Sequence, residues 1–169
     1  MDKITFRELR MNDLKSTLEM INSLVEEKAY IIVQKKLTLK EEKEYLKNVM
    51  KEIKNKSAVY LVLDIDGKVR GNARVSLIDS GPRKHMGELG ISIMKEARGK
   101  KLGEKLFKKI VEKAVKELKV KIITLYVVSK NKVAINLYKK MGFKKISTIE
   151  KGYNHYGELL DNITMIKYI

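Results

Sequence analysis

The sequence has no cysteine and only two histidines, His85 and His155, seventy positions apart. Disulfides, thiolate nucleophiles and cysteine metal sites are therefore excluded, and a zinc site is short of ligands, so no metal is expected. Long apolar runs are also missing. The strongest cluster, Ile122 to Val128, already contains Thr124 and falls far short of the ~20 residues that span a bilayer, which excludes a transmembrane helix. The chain opens Met-Asp-Lys-Ile-Thr and passes straight into alternation, with no apolar stretch leading to a small-residue cleavage site. No secretory leader is visible, and a cytoplasmic location is expected.

Acidic residues are the scarce charge. There are 21 of them against 37 basic residues, for a net charge of +16. The excess is uneven: residues 98–151 hold 17 basic and 4 acidic side chains and so carry +13 of it. A localised positive field attracts polyanions, whether nucleic acid or a phosphorylated cofactor, although a lysine-rich surface also simply keeps a protein soluble. With 169 residues and 44% hydrophobic composition, one globular domain over 1–169 is expected.

Ile4, Phe6 and Leu9 begin a strand. Asn12 reads as the cap of a helix carrying Leu14, Leu18, Ile21 and Val25, while 26–37 is irregular. Thr38-Leu39-Lys40-Glu41 is a capping box opening a second helix with Leu46, Val49, Met50 and Ile53 on one face. Val59–Ile65 and Val69–Ile78 are strands joined by an Asp66-Gly67 hairpin turn, followed by a loop at Gly81-Pro82. Glu88–Met94 is a strand. Leu102, Leu106, Ile110, Ala114 and Leu118 then mark an amphipathic helix whose opposite face carries Lys105, Lys109, Lys113 and Lys116. Ile122–Val128 reads as a central strand. Ala134, Leu137 and Met141 mark a short helix stopped by Gly142, and two strands follow with a turn at Tyr156-Gly157. The order β-α-α-β-β-β-α-β-α-β-β predicts an α/β (α+β) fold, a central mixed, mostly antiparallel sheet with helices on both faces.

Two segments carry chemistry. In Glu88-Leu-Gly-Ile-Ser-Ile-Met-Lys-Glu-Ala-Arg98-Gly-Lys-Lys-Leu-Gly103, a strand feeds a helix through a loop rich in glycine and base. The first N–H groups of a helix lack internal partners and the macrodipole is positive there, so Gly99 and Gly103 with Arg98, Lys100 and Lys101 suit a pyrophosphate. The Walker pattern and the three-glycine dinucleotide fingerprint are both missing, which disfavours nucleotide hydrolysis and hydride transfer. The second segment is Asn131-Lys-Val-Ala134-Ile-Asn136-Leu137-Tyr138-Lys-Lys-Met-Gly142-Phe143.

Together the two segments resemble the GNAT superfamily of N-acetyltransferases. There a loop of the form Arg/Gln-x-x-Gly-x-Gly/Ala binds the pyrophosphate of acetyl-CoA, and an Asn-x-x-Ala-x-x-Leu-Tyr-x-x-x-Gly-Phe helix closes over its pantetheine arm. The second motif matches throughout. In the first, Arg98 and Gly103 match while Lys101 replaces the middle glycine, so its side chain must point away from the cofactor. The resemblance implies acetyl-CoA as co-substrate, held by Arg98, Gly99, Lys100, Lys101, Leu102 and Gly103. It further implies that backbone groups of Ile91, Ser92 and Ile93 bind the pantetheine and thioester, with Asn131 and Tyr138 on the cofactor side.

Tyr138 suits proton donation to the departing thiolate, since a phenol stays protonated at neutral pH; its alternative is a core aromatic. Glu88 occupies the place of the family's proton-accepting carboxylate, and burial would raise its pKa; its alternative is an ordinary polar strand residue. Asn131 reads equally as a helix cap. His85 and His155 read as surface residues before catalysts. The family's architecture places the acceptor between the early helical connection and the last strands, with Glu26, Glu27, Tyr30, Tyr153 and Tyr156 as its lining. The implied reaction is direct acetyl transfer to a primary amine on a small molecule or peptide, with a homodimer left open. The competing readings are a basic nucleic-acid-binding module, disfavoured by 6 arginines among 37 basic residues, and a non-catalytic CoA-sensing domain.

Overall fold

The computed structural model describes residues 2–79 and 81–169. Strand β1 (Ile4–Glu8) leads through a 3-10 turn, Met11–Asp13, into α1 (Leu14–Glu26). The helix begins after Asp13 rather than Asn12, because the Asp13 carboxylate is bound by the Arg10 N–H and the Arg7 guanidinium, which fixes the turn before it. Its core face is turned accordingly. Met20, Leu24 and Thr17 are buried, while the expected Leu18 is only half-buried. Helix α2 (Leu39–Lys54) opens on the capping box, with the Thr38 hydroxyl accepting from the Glu41 N–H and the Glu41 carboxylate accepting from the Thr38 N–H.

Strands β2 (Ala58–Ile65), β3 (Lys68–Leu77) and β4 (Met86–Ile93) form an antiparallel meander, with β4 starting two residues earlier than the pattern predicts. Then come α3 (Leu102–Leu118), β5 (Ile122–Val128), α4 (Lys132–Lys140), β6 (Lys144–His155) and β7 (Glu158–Tyr168). The seven strands lie in the order β1-β2-β3-β4-β5-β7-β6, and only the β4–β5 pair is parallel. The element order, the mostly antiparallel sheet and the placement of helices on both faces are as the sequence predicts.

Two apolar layers hold the helices. Leu102, Leu106, Phe107, Ile110 and Ala114 of α3 pack with Tyr138 of α4 against Leu61, Leu63, Leu89, Ile123 and Leu125. On the other face Met20, Leu24, Leu46 and Val49 cover Tyr60, Val62 and Val69. Burying a large aliphatic side chain contributes ~1.5–3 kcal/mol, so these stripes rather than helix propensity fix the helices in place. The second layer stops at β3. Among the described residues, the α1–α2 layer packs on Tyr60, Val62 and Val69 of β2 and β3 and not on the outward face of β4, β5 and β7.

Candidate active site

Strands β4 and β5 pair only over Met86–Glu88 with Ile122–Thr124. Beyond that, among the described residues, Leu89–Ile93 has no strand partner on its β5 side, which leaves backbone N–H and C=O groups for an extended ligand to bind, apart from the Ile93 carbonyl, which accepts from Arg98 Nε. Both strands deliver their C-terminal ends to this opening, β4 into the 94–101 loop and β5 into Asn131 and α4.

The loop adopts the path that its glycines demand. Gly99 has φ +77°, and Lys101 has φ +58°, ψ 13°, the left-handed conformation that glycine adopts without cost. Lys101 thus holds a glycine-like conformation by accepting strain, and its side chain stands in solvent. A Cβ on Gly103 would meet only Ile93 Cγ1, at 3.7 Å, so the start of α3 is open to a close ligand. The loop residues Gly99, Lys100 and Lys101 are all exposed at this helix terminus, while Leu102 is buried as its apolar anchor.

Arg98 points elsewhere. Its Nε donates to the Ile93 carbonyl at 2.9 Å and its two Nη groups bind the Glu27 carboxylate, which joins two expected site residues. Glu26 faces away and pairs with Lys36 at 2.5 Å, both well exposed.

Tyr138 is 7% exposed, its ring centroid 6.1 Å from that of Phe107 and 6.2 Å from that of Phe143. Burial is the sole cause that pushes its phenol up, to about 12. Asn131 caps α4, its Oδ1 accepting from the Ala134 N–H at 3.2 Å, so the cap reading holds. Glu88 is exposed rather than partly buried. It alternates with buried Gly87 and Leu89 and so points away from α3, on the same side as Gly90 and Ser92.

Tyr30, Tyr153 and Tyr156 do come together, around His155. Their ring centroids lie 4.7, 6.1 and 4.9 Å from the imidazole, whose Nδ1 is sealed from solvent without a partner. His155 is thus a half-buried centre of an aromatic cluster, not a surface residue, because three rings close over it. His85 is half-buried at the start of β4, where its carbonyl accepts from the Lys121 and Ile122 N–H groups. Sequence reasoning missed the neighbours on β3. Asn72 pairs with Ser92 and Arg74 with Gly90 in register, so both side chains flank the strip above Gly90, where a Cβ added to the glycine would meet nothing within 4 Å. The alternation of polar and apolar residues along Val69–Ile78 was the signal that would have found them.

The lysine-rich helix is partly neutralised. Lys113 bridges Glu8 and Glu117, and Lys108 and Lys140 flank Glu104, holding its carboxyl down at about 2 through their hydrogen bonds and charge. Among the described residues no cluster of three or more acidic or histidine side chains could hold a metal ion, and no helix is long and apolar enough to cross a membrane.

A family model described as "Acetyltransferase (GNAT) family" matches residues 19–143. The L-amino acid N-acetyltransferase AaaT of Escherichia coli K12 is 30% identical over 107 residues, which cover 63% of this chain and 66% of that protein, just under two thirds of its length. The crystal structure of a ribosomal-protein-alanine N-acetyltransferase from Brucella melitensis is similar over 98% of this chain and 99% of that one, with 25% identity and a TM-score of 0.87. The structure of YncA from Salmonella typhimurium with its cofactor acetyl-CoA shares the fold over 98% of this chain and 93% of that one, at 20% identity and a TM-score of 0.84.

Proposed function

The chain belongs to the GNAT family of acetyl-CoA-dependent acetyltransferases, and from that premise we propose that it moves an acetyl group directly from acetyl-CoA to a primary amine in a ternary complex. The observation that carries the reading is the parting of β4 from β5 beside the open helix terminus at Gly99–Gly103. An extended thioester ligand needs both features, amide-pairing edges for its arm and N–H donors for its phosphates. Acetyl-CoA supplies the activated acyl carbon. The backbone groups of Ile91 and the N–H of Ile93, on the unpaired side of β4, orient the arm, whereas the backbone of Ser92 faces β3 opposite Asn72 and the Ile93 carbonyl is held by Arg98. The N–H groups of the 99–103 segment with Lys100 and Lys101 receive the diphosphate.

The acceptor amine must be neutral to attack. Glu88, standing in solvent on the outward face, takes its proton through water. Tyr138, at the cofactor-side helix, donates a hydrogen bond to the sulfur as the C–S bond breaks. The acceptor approaches past Glu27, Tyr30, Tyr153 and Tyr156. Relatives named for a free amino acid and for a ribosomal-protein alanine set the range of amines to try, and a cytoplasmic location and a homodimer belong to the same proposal.

The test is acetyl-CoA-dependent thiol release across free amino acids, peptide N-termini, polyamines and aminoglycosides. Transfer to at least one class supports the reading. Acetyl-CoA binding with no transfer to any amine supports a CoA-sensing domain instead, and DNA binding without acetyl-CoA binding supports the nucleic-acid module.

A further inference from the structure

Arg98 is the first residue of the loop that is expected to take the cofactor diphosphate, yet its guanidinium is committed elsewhere. Nε donates to the Ile93 carbonyl at 2.9 Å, Nη1 donates to Glu27 Oε2 at 3.2 Å, and Nη2 pairs with Oε1 of the same carboxylate. Three donors of the fork are thus spent on the protein, two of them on one carboxylate, the arrangement in which arginine orients a partner best.

Glu27 ends α1 and begins the 27–38 connection. That connection is tied at its far side to the β6–β7 hairpin. The Tyr153 hydroxyl donates to the Ile31 carbonyl at 2.7 Å, and Gln34 bonds the Asn154 carbonyl at 2.6 Å and the Tyr156 N–H at 3.2 Å. The segment is therefore held between two anchors, Arg98 of the cofactor loop and the β6–β7 hairpin. Among the described residues, the Arg98–Glu27 pair is the only side-chain bond joining it to the cofactor loop.

We propose that Arg98 and Glu27 form a positioning pair in which Arg98 fixes the acceptor-side connection to the end of β4 and leaves the diphosphate to Lys100, Lys101 and the backbone N–H groups. Glu27 in turn is a positioning residue, not a ligand for the acceptor amine. The pair couples the two halves of the site, since any shift of the cofactor loop is carried into the wall past which the amine approaches. The inference rests on the acetyltransferase reading for its consequence, but the pairing itself does not depend on it.

The experiment compares Arg98→Gln, Glu27→Gln, the double variant and the swap Arg98→Glu/Glu27→Arg. Three quantities are measured: acetyl-CoA Kd by calorimetry, amide hydrogen exchange over 27–38, and, with an accepted amine, its KM and kcat. The pair is partly exposed, with side chains 45% and 21% accessible, so a change of up to about fivefold is the scale for its loss. Each single variant should speed exchange over 27–38 and raise acceptor KM by that factor with kcat nearly unchanged. The double variant should be no worse than either single one, and the swap should return exchange toward that of the parent. Acetyl-CoA Kd should stay within about twofold throughout.

A tenfold or greater loss of acetyl-CoA affinity in Arg98→Gln with Glu27→Gln silent would overturn the proposal and make Arg98 a phosphate ligand. So would unaltered exchange in both single variants. If the exchange pattern appears while no amine is acetylated, the pair stands and the proposed activity fails.

Discussion

Replacing Tyr138 by phenylalanine removes one oxygen from a ring already held between Phe107 and Phe143, so its effect on turnover can be reasoned from the phenol alone. Burial holds that phenol up at about 12, whereas an ordinary thiol has a pKa near 8.5. Complete proton transfer from Tyr138 to the leaving thiolate would then run uphill by roughly 3.5 pK units, or about 5 kcal/mol. A hydrogen bond to the developing charge has no such cost and contributes about 1.5–3 kcal/mol. On the proposed reading Tyr138 therefore acts as a hydrogen-bond donor to sulfur, with the proton reaching the thiolate from water afterwards.

Tyr138→Phe should accordingly lower kcat by roughly 10- to 150-fold, the equivalent of that hydrogen bond, and leave acetyl-CoA Kd unchanged. Turnover would be followed by thiol release under single-turnover conditions, so that chemistry and not product release is observed. The parent enzyme should show no alkaline loss of kcat from this residue below about pH 11, because the raised phenol stays protonated there. The same shift makes a small contribution to stability that is complete below the ordinary tyrosine pKa near 10 and is lost as pH rises toward 12. A loss of 10⁴-fold or more would refute the hydrogen-bond argument in favour of obligatory proton transfer. A kcat within twofold of the parent would reduce Tyr138 to packing.

Other perturbations test the parts that surround this group. Gly103→Val should weaken acetyl-CoA at least tenfold by calorimetry while the thermal unfolding midpoint stays close to the parent's, since the space beside Gly103 holds only Ile93 Cγ1 at 3.7 Å. Lys101→Gly should stabilise the fold by up to about 1 kcal/mol in urea titration, relieving a left-handed lysine, and a lower unfolding midpoint would contradict the assigned strain. Arg7→Met should cost about 3–5 kcal/mol by the same assay, because it strands the carboxylates of Asp13 and Asp64, whose side chains are 9% and 10% exposed. Burial pushes the Asp13 carboxyl up, but bonds from Arg7 and the Arg10 N–H together hold it below its ordinary value; its contribution is therefore present above about pH 4 and fades as pH falls through the lowered pKa, which an acid titration of the parent and of Arg7→Met would show as lost pH dependence in the variant.

The fold was readable because periodicity is local and the apolar stripes obey it. Leu102, Leu106, Ile110 and Ala114 announce the buried side of α3, and Thr38 with Glu41 announces the start of α2, from neighbours in the chain alone. Where a long-range bond overrides local preference, the reading slipped. Asn12 is a good cap in isolation, but Arg7 bridging Asp13 to Asp64 moves the helix start by one residue, and no window of sequence contains all three. The loop from Arg98 to Gly103 was visible as chemistry, yet the direction of Arg98 was not, since its partner Glu27 lies 71 residues away. The same holds for His155, whose ring lies 4.7 Å from that of Tyr30, far earlier in the chain. Turns and helix starts can be placed from spacing. A charged side chain with several reachable partners cannot, because its choice among them is an energy difference of about 1 kcal/mol settled only when the distant segments have packed.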